Sequence, residues 1–346
     1  MVASSPYQCM TLALLVLPPL FITTYFMAAF PSPPAPITLH PSLASLPPTS
    51  RSWSIYPEDY FSGGGYAVFP AGKVRYWLLG PEKGKKVVLI HGLSIPSIIW
   101  KDVAPKLVAS GHRVLLYDLY GRGYSDAPQT AYDTNLYTTQ LAFLLQYLKW
   151  DKANIIGVSM GGAIAAAFTA QFPHLVDESV GLIACAGLME SNDISRTAKV
   201  MSSPLIQALT SSRPVQMYMQ HLINQSQSGS QEEKPLLEIV RLQSAHLPGY
   251  NNALSSSLRD GPVRGQRAAF QSKSFNGKRV LILHGTKDTT VHPKYATLIS
   301  DLLPSGVKQK LITFEGAGHD LSVSHPVEVA TALLDLLDGK SWKKLP

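Results

Sequence analysis

A doubly wound α/β fold with a mostly parallel sheet and one helical insertion is what the sequence predicts, on three observations. Short runs rich in Val, Ile and Leu recur along the chain, each bounded by turn residues. Stretches with helical periodicity separate them, as a parallel sheet covered on both faces requires. The alternation breaks once, for roughly ninety residues, too long for a loop inside a compact domain, and then resumes.

The predicted strands, in order, are carried by "KVRYWLLG", "KKVVLIHG", "HRVLLYDL", "ANIIGVS", "SVGLIACAG", "RVLILHG" and "QKLITFE". Each is apolar almost throughout rather than alternating, the mark of a strand buried on both faces. The stretch 136–149 is the clearest of the intervening helices. The break runs from Gly187 to Lys278, where helix-like segments surround Met201, Met217, Tyr218, Met219 and Leu236. With 346 residues and 45% hydrophobic content, the chain is long enough for one large domain with such an insertion.

Ahead of the strands lies a different composition. Residues 9–30, "CMTLALLVLPPLFITTYFMAAF", carry no charge, and the first charged side chain is Arg51. As a helix this run reaches about 33 Å, enough for a hydrocarbon core of about 30 Å. A single-pass N-terminal membrane anchor is therefore expected. The alternative is a signal cleaved on secretion, although a basic leading region and a clean A-x-A site are missing. Pro18 and Pro19 weaken a helix here, yet membrane helices tolerate proline. The proline-rich run 31–50 predicts a solvated spacer, with folded structure starting near Arg51.

Charge and cysteine content exclude some classes. Lys plus Arg number 30 against 23 Asp plus Glu, a net +7. No basic run interleaved with aromatics accompanies this excess, so no nucleic-acid partner is expected. Two cysteines, Cys9 and Cys185, cannot build a disulfide framework.

The chemistry centres on "GVSMG", Gly157 to Gly161, which fits G-x-S-x-G where a predicted strand turns into a helix. Such an elbow strains Ser159 and exposes its hydroxyl, with small residues at 157 and 161 letting strand and helix approach. A serine needs a base to take its proton and an acid to orient that base. "LILHGTKDTTV" places Asp288 just past one strand, and "FEGAGHDLSV" places His319 past the next. The order Ser159, Asp288, His319 is the one this elbow demands. His325 and Asp118 are the rivals for base and acid; Asp320 adjoins the proposed base, and the strand-end His91 and His284 read as structural. The oxyanion donors are expected at the backbone N–H of Met160 and of Leu93, with Ser94 the next candidate.

The motifs "HGLS", "DLYGRGYSD", "GVSMGG", "HGTKD" and "GAGHD", in this order, resemble those of the α/β-hydrolase fold family over residues 65–339. The resemblance implies nucleophile, acid and base at Ser159, Asp288 and His319, oxyanion amides at Leu93 and Met160, and neither metal nor organic cofactor. With residues 1–30 read from composition as anchor or signal and 31–50 as linker, it implies 51–187 and 279–340 as the core and 188–278 as a helical cap. Serine at the elbow argues against the epoxide hydrolases and haloalkane dehalogenases of the family, which carry Asp there. Anchor, spacer and "SMGG" elbow together look most similar to membrane-bound monoacylglycerol lipases and related esterases. The expected activity is cleavage of an acyl ester, a monoacylglycerol or similar lipid ester, by an enzyme held at a membrane. C–C bond hydrolysis or acyl transfer on a small metabolite by the same triad, or a catalytically silent binding module, are the alternatives.

Three weaker features complete the reading. Met189, Met201, Met217 and Met219 with Tyr218 read as cap core before acyl pocket. "GKSWKKLP", 339–346, reads as a frayed tail before a lipid contact through Trp342, Lys343 and Lys344. "NQS" at Asn224 is a glycosylation pattern, relevant only in a secretory lumen.

Overall fold

The computed structural model describes residues 6–29, 36–193, 199, 203 and 234–339. Met201, Met217, Tyr218, Met219, Asn224 and residues 340–346 lie outside them. Two units are distinguished, one ending at Ile37 and the other starting at Thr38.

The first unit holds helix α1, Pro6–Ala29, which runs through Pro18 and Pro19. Its segment Met10–Ala28 is long and apolar enough to cross a membrane. That length and composition fit an anchor and a signal sequence alike.

The second unit is built on an eight-stranded sheet. Its strands are β1 (Gly64–Phe69), β2 (Gly72–Leu79), β3 (Lys86–Ile90), β4 (Arg113–Tyr117), β5 (Ala153–Val158), β6 (Val176–Ile183), β7 (Arg279–Gly285) and β8 (Lys308–Phe314). They lie in the order β8-β7-β6-β5-β3-β4-β2-β1. Every pairing from β8 through β4 is parallel; β2 alone runs against the rest, and β1, antiparallel to β2, returns to the common direction. The doubly wound, mostly parallel sheet is thus as expected. Strand β1 is the one element the apolar runs did not reveal: it opens on glycines and is paired on one side only, so it needs no continuous apolar content.

Alternate residues of the central strands feed two buried clusters, as the pleat dictates. Val88, Ile90, Leu115 and Ile155 join the cluster of helices α3 (Thr134–Tyr147), α4 (Met160–Gln171) and α7 (Lys294–Leu302). Val87, Leu89, Val114 and Ile156 join that of α2 (Ala104–Ala109) and α9 (Pro326–Asp338). Each large aliphatic side chain buried this way contributes about 1.5–3 kcal/mol. Helix α3 starts two residues before the predicted stretch, because Asp133 caps it: its carboxylate accepts from the Leu136 N–H at 2.8 Å.

Between β6 and β7 the described residues form α5 (Lys234–His246) and α6 (Pro248–Arg259). Between β8 and α9 lies the single turn α8, Leu321–Ser324.

One expectation is corrected. The spacer does not extend to Ser50, since Leu39–His40 pairs antiparallel with Ala127–Pro128, and Leu43 is fully buried. Apolar Leu43 and the backbone groups around it find partners on the body: the Leu43 N–H donates to the Gly123 carbonyl at 3.0 Å. Proline-rich composition did not prevent this docking, because proline blocks only its own donor.

Candidate active site

The loops that follow the carboxyl ends of β3, β5, β7 and β8 converge, the usual place for a site in an open parallel sheet. They carry Leu93, Ser159, Asp288 and His319 respectively.

Ser159 joins β5 to α4 with φ 56° and ψ −121°, a conformation L-residues rarely adopt and one worth roughly 1–3 kcal/mol of strain. Its neighbours hold it there. The Ser159 N–H donates to the Ile183 carbonyl at 2.8 Å, and the Ser159 carbonyl accepts from Gly162 and Ala186 N–H at 3.0 and 3.1 Å. A methyl group on Gly157 would lie 2.0 Å from the Gly161 carbonyl oxygen, and one on Gly161 would lie 2.3 Å from that of Ile90. These two positions therefore admit only glycine, which explains the spacing read from the sequence.

His319 Nε2 lies 2.9 Å from Ser159 Oγ, and its Nδ1 lies 2.7 Å from Asp288 Oδ2. A carboxylate only accepts, so Nδ1 carries the proton and Nε2 is left to receive one from the serine. Asp288 is buried. Burial alone would raise its pKa, but hydrogen bonds from His284 and His319, the His319 charge and the Val291 amide outweigh it, holding the carboxyl well below the usual range. Its Oδ1 accepts the N–H groups of Thr290 and Val291, each at 2.8 Å.

The structure thus brings Ser159, His319 and Asp288 into one hydrogen-bonded chain, and leaves the rivals outside it. His325 pairs with Ser324 Oγ at 2.8 Å and packs on the Phe314 ring. Asp118 accepts from the N–H of Ser97 and Tyr124, each at 2.9 Å, and from Tyr56 Oη at 3.1 Å; burial, partly offset by these bonds, pushes its pKa up to about 6. His284, read from sequence as structural, touches the acid directly. Its Nε2 donates to the Val291 carbonyl at 2.8 Å and sits 3.3 Å from Asp288 Oδ2.

His91 has a defined place under the Leu93 loop. The Leu119 N–H donates to His91 Nε2 at 2.9 Å, so the ring proton sits on Nδ1, which donates to the Gly92 carbonyl at 2.8 Å. In a trans peptide the carbonyl and the following N–H point in opposite directions. Holding the Gly92 carbonyl therefore aims the Leu93 N–H away from His91. Met160 contributes the first N–H of α4, one of those a helix leaves without an internal partner. Sequence reasoning found the "HG" motif but could not assign the tautomer, which depends on Leu119 across the sheet.

Burial, with a smaller push from the Arg122 charge and against the Gly92 bond, lowers the His91 pKa to about 3. The sign of its effect on stability follows. Below the ordinary His value of about 6.5 the unfolded chain takes up a proton the native state refuses, so stability falls with pH, by about 1.4 kcal/mol per unit. Asp118 acts in the opposite sense between about pH 6 and its ordinary value near 4, where the native state holds the extra proton. Comparison of variants isolates His91. A His91→Gln protein, whose amide still offers one donor and one acceptor, is expected to lose less thermal stability than the parent between about pH 7 and about pH 5. Parallel melting-temperature profiles would refute this.

Ser159 and His319 open on a cavity of about 410 Å³, an ordinary size for a small-ligand site. Its walls are mainly aliphatic, with Ile95, Val158, Met189, Leu236, Leu258 and Val263 among them. No Lys or Arg occurs among the described residues lining it, and Asp320 is the one carboxylate there apart from the site itself.

A family model described as alpha/beta hydrolase fold matches residues 85–326. An uncharacterized protein of Mycobacterium tuberculosis is 28% identical over 246 residues, 68% of this chain and 70% of that protein. The 2-hydroxymuconate semialdehyde hydrolase of a Pseudomonas species is 24% identical over 281 residues, 79% of this chain and 93% of its own length. The solved structure of a bacterial membrane phospholipase A superposes with a TM-score of 0.62 at 21% identity, covering 96% of this chain and 98% of that one, a likeness of fold. The sheet order, the serine elbow after β5 and a family match over most of the chain meet in one conclusion: this chain belongs to the alpha/beta hydrolase fold family.

Proposed function

We propose that this chain is a serine hydrolase cleaving a neutral acyl ester, a monoacylglycerol or similar lipid ester, through an acyl-enzyme on Ser159. The observation that carries the reading is the Asp288–His319–Ser159 hydrogen-bond chain opening on an aliphatic cavity. Ser159 Oγ attacks the ester carbonyl as His319 Nε2 takes its proton, and Asp288 stabilises the imidazolium. The N–H groups of Leu93 and Met160 donate to the oxyanion. His319 returns the proton to the departing alcohol, and water, activated by the same base, releases the acid.

Residues 188–278 act in this reading as a cap, with Met189, Leu236, Leu258 and Val263 as its share of the acyl wall. Residues 1–30 hold the enzyme at a membrane, where such substrates reside. C–C hydrolysis is the second reading, favoured by the likeness to the Pseudomonas 2-hydroxymuconate semialdehyde hydrolase. A muconate-type substrate is an anion, however, and Asp320 with no cation among the described lining residues is poorly matched to it.

The test is labelling of detergent-solubilised protein with a fluorescent fluorophosphonate, competed by monoacylglycerols, short alkyl esters and carboxylate-bearing esters. Monoacylglycerols are expected to compete best and the anionic esters worst, with Asp320→Asn narrowing that difference. Best competition by the anions would move the C–C reading forward, and an unlabelled folded protein would overturn both.

A further inference from the structure

Three consecutive carbonyls of the loop after β3 are each held by a buried side chain. Gly92 accepts from His91 Nδ1 at 2.8 Å, Leu93 from Arg122 Nε at 2.9 Å and Ser94 from Tyr250 Oη at 3.1 Å. The last two connections lead to helix α6 (Pro248–Arg259). Tyr250 belongs to it, and Arg122 reaches it through Nη2, which donates to Ser257 Oγ at 2.8 Å and to the Ala253 carbonyl at 3.4 Å.

Arg122 is unusual in its own right. It is fully buried, and its remaining nitrogen donates to the Tyr120 carbonyl at 3.0 Å and Tyr137 Oη at 2.5 Å. Five N–H groups therefore meet five neutral oxygens, and no carboxylate is among its partners in the described residues. Burying a cation without a counter-ion is expensive, and packing alone gives no reason for it. A positive charge bonded to the loop that carries the Leu93 oxyanion donor has one: it favours negative charge developing beside that loop.

The peptide geometry makes the consequence specific. The Leu93 carbonyl shares its peptide plane with the Ser94 N–H, and the Ser94 carbonyl shares the next. Fixing both planes leaves the Leu93 N–H no hinge on its carboxyl side, while His91 fixes the plane that contains it. Helix α6 also lends Leu258 to the cavity wall. We propose that α6 sets the Leu93 oxyanion donor, with Tyr250 and Arg122 as positioning residues that tie the loop to the helix. This rests on the ester-hydrolase reading of the same site.

The experiment compares the full-length parent with Tyr250→Phe and Ser257→Ala, using p-nitrophenyl butyrate for turnover and a butyl trifluoromethyl ketone as a mimic of the anionic intermediate. Tyr250→Phe keeps the ring and removes one hydroxyl. Its kcat is expected to fall about tenfold with KM within about twofold, the size of one lost hydrogen bond felt in the transition state. Ketone affinity should weaken by the same factor. Ser257→Ala, which removes one of the two partners of Arg122 Nη2 without touching the loop, should shift both quantities in the same direction by less.

A purely structural role would lower thermal stability without coupling kcat to ketone affinity. Unchanged kcat in both variants, or a raised KM with kcat intact, overturns the proposal while an active parent keeps the ester-hydrolase reading. A folded parent that neither turns over the ester nor takes a phosphonate label overturns both.

Discussion

A Ser159→Ala protein is expected to lose about 10⁴- to 10⁶-fold of its ester turnover while remaining folded. The rate collapses because the only atom removed, Oγ, is the one 2.9 Å from His319 Nε2, and no other hydroxyl in the described structure shares that contact. The fold survives because the strained backbone is held by main-chain bonds to Ile183, Gly162 and Ala186, none of which uses the side chain. Alanine at φ 56° is as strained as serine, so the parent's strain is retained rather than increased. Steady-state hydrolysis, phosphonate labelling and a melting curve on the same preparation make the check. A variant keeping a tenth of the parent rate would remove Ser159 from the mechanism.

Asp288→Asn should reduce kcat by about 10⁴-fold, through the tautomer of His319 rather than through its position. The two carboxylate oxygens have different tasks. Oδ1 accepts two backbone N–H groups, from Thr290 and Val291, while Oδ2 faces His319 Nδ1 and His284 Nε2. An asparagine must keep its oxygen toward the two amides, since turning its NH₂ toward them would set donors against donors. The NH₂ then faces His319 Nδ1, which has to become the acceptor, and the ring proton moves to Nε2. A protonated Nε2 cannot take the serine proton. NMR of the His319 ring nitrogens would report the tautomer directly, and retention of Nδ1–H in a slow variant would contradict this account.

Much of this was open to reading without coordinates, for reasons that lie in particular residues. A parallel strand buried on both faces must be apolar throughout, so "KVVLI", "IIGV" and "VLILHG" announced themselves. Ser159 was legible because a strand, a serine between glycines and an alanine-rich helix occur within a dozen neighbours, and its partners because each follows a strand end. Strand β1 was not, since an edge strand pairs on one side only and Gly64 and Gly65 carry no apolar signal. Residues 38–46 were misread as spacer because what they dock against lies far along the chain, at Gly123 and Ala127–Pro128.

The chain's local order was enough for the sheet, the elbow and the choice of the three side chains that the fold brings into one hydrogen-bonded chain, because each depends on residues close in sequence or on a fixed succession of strand ends. Tertiary structure alone decided which ring nitrogen of His91 holds the Gly92 carbonyl, why Arg122 is buried among neutral oxygens, and that Tyr250 reaches Ser94 across 156 positions of chain. Hydrogen bonds of this kind depend on direction and on distances of a few tenths of an ångström. Nothing in the spacing of residues encodes those until the sheet has brought the loops together.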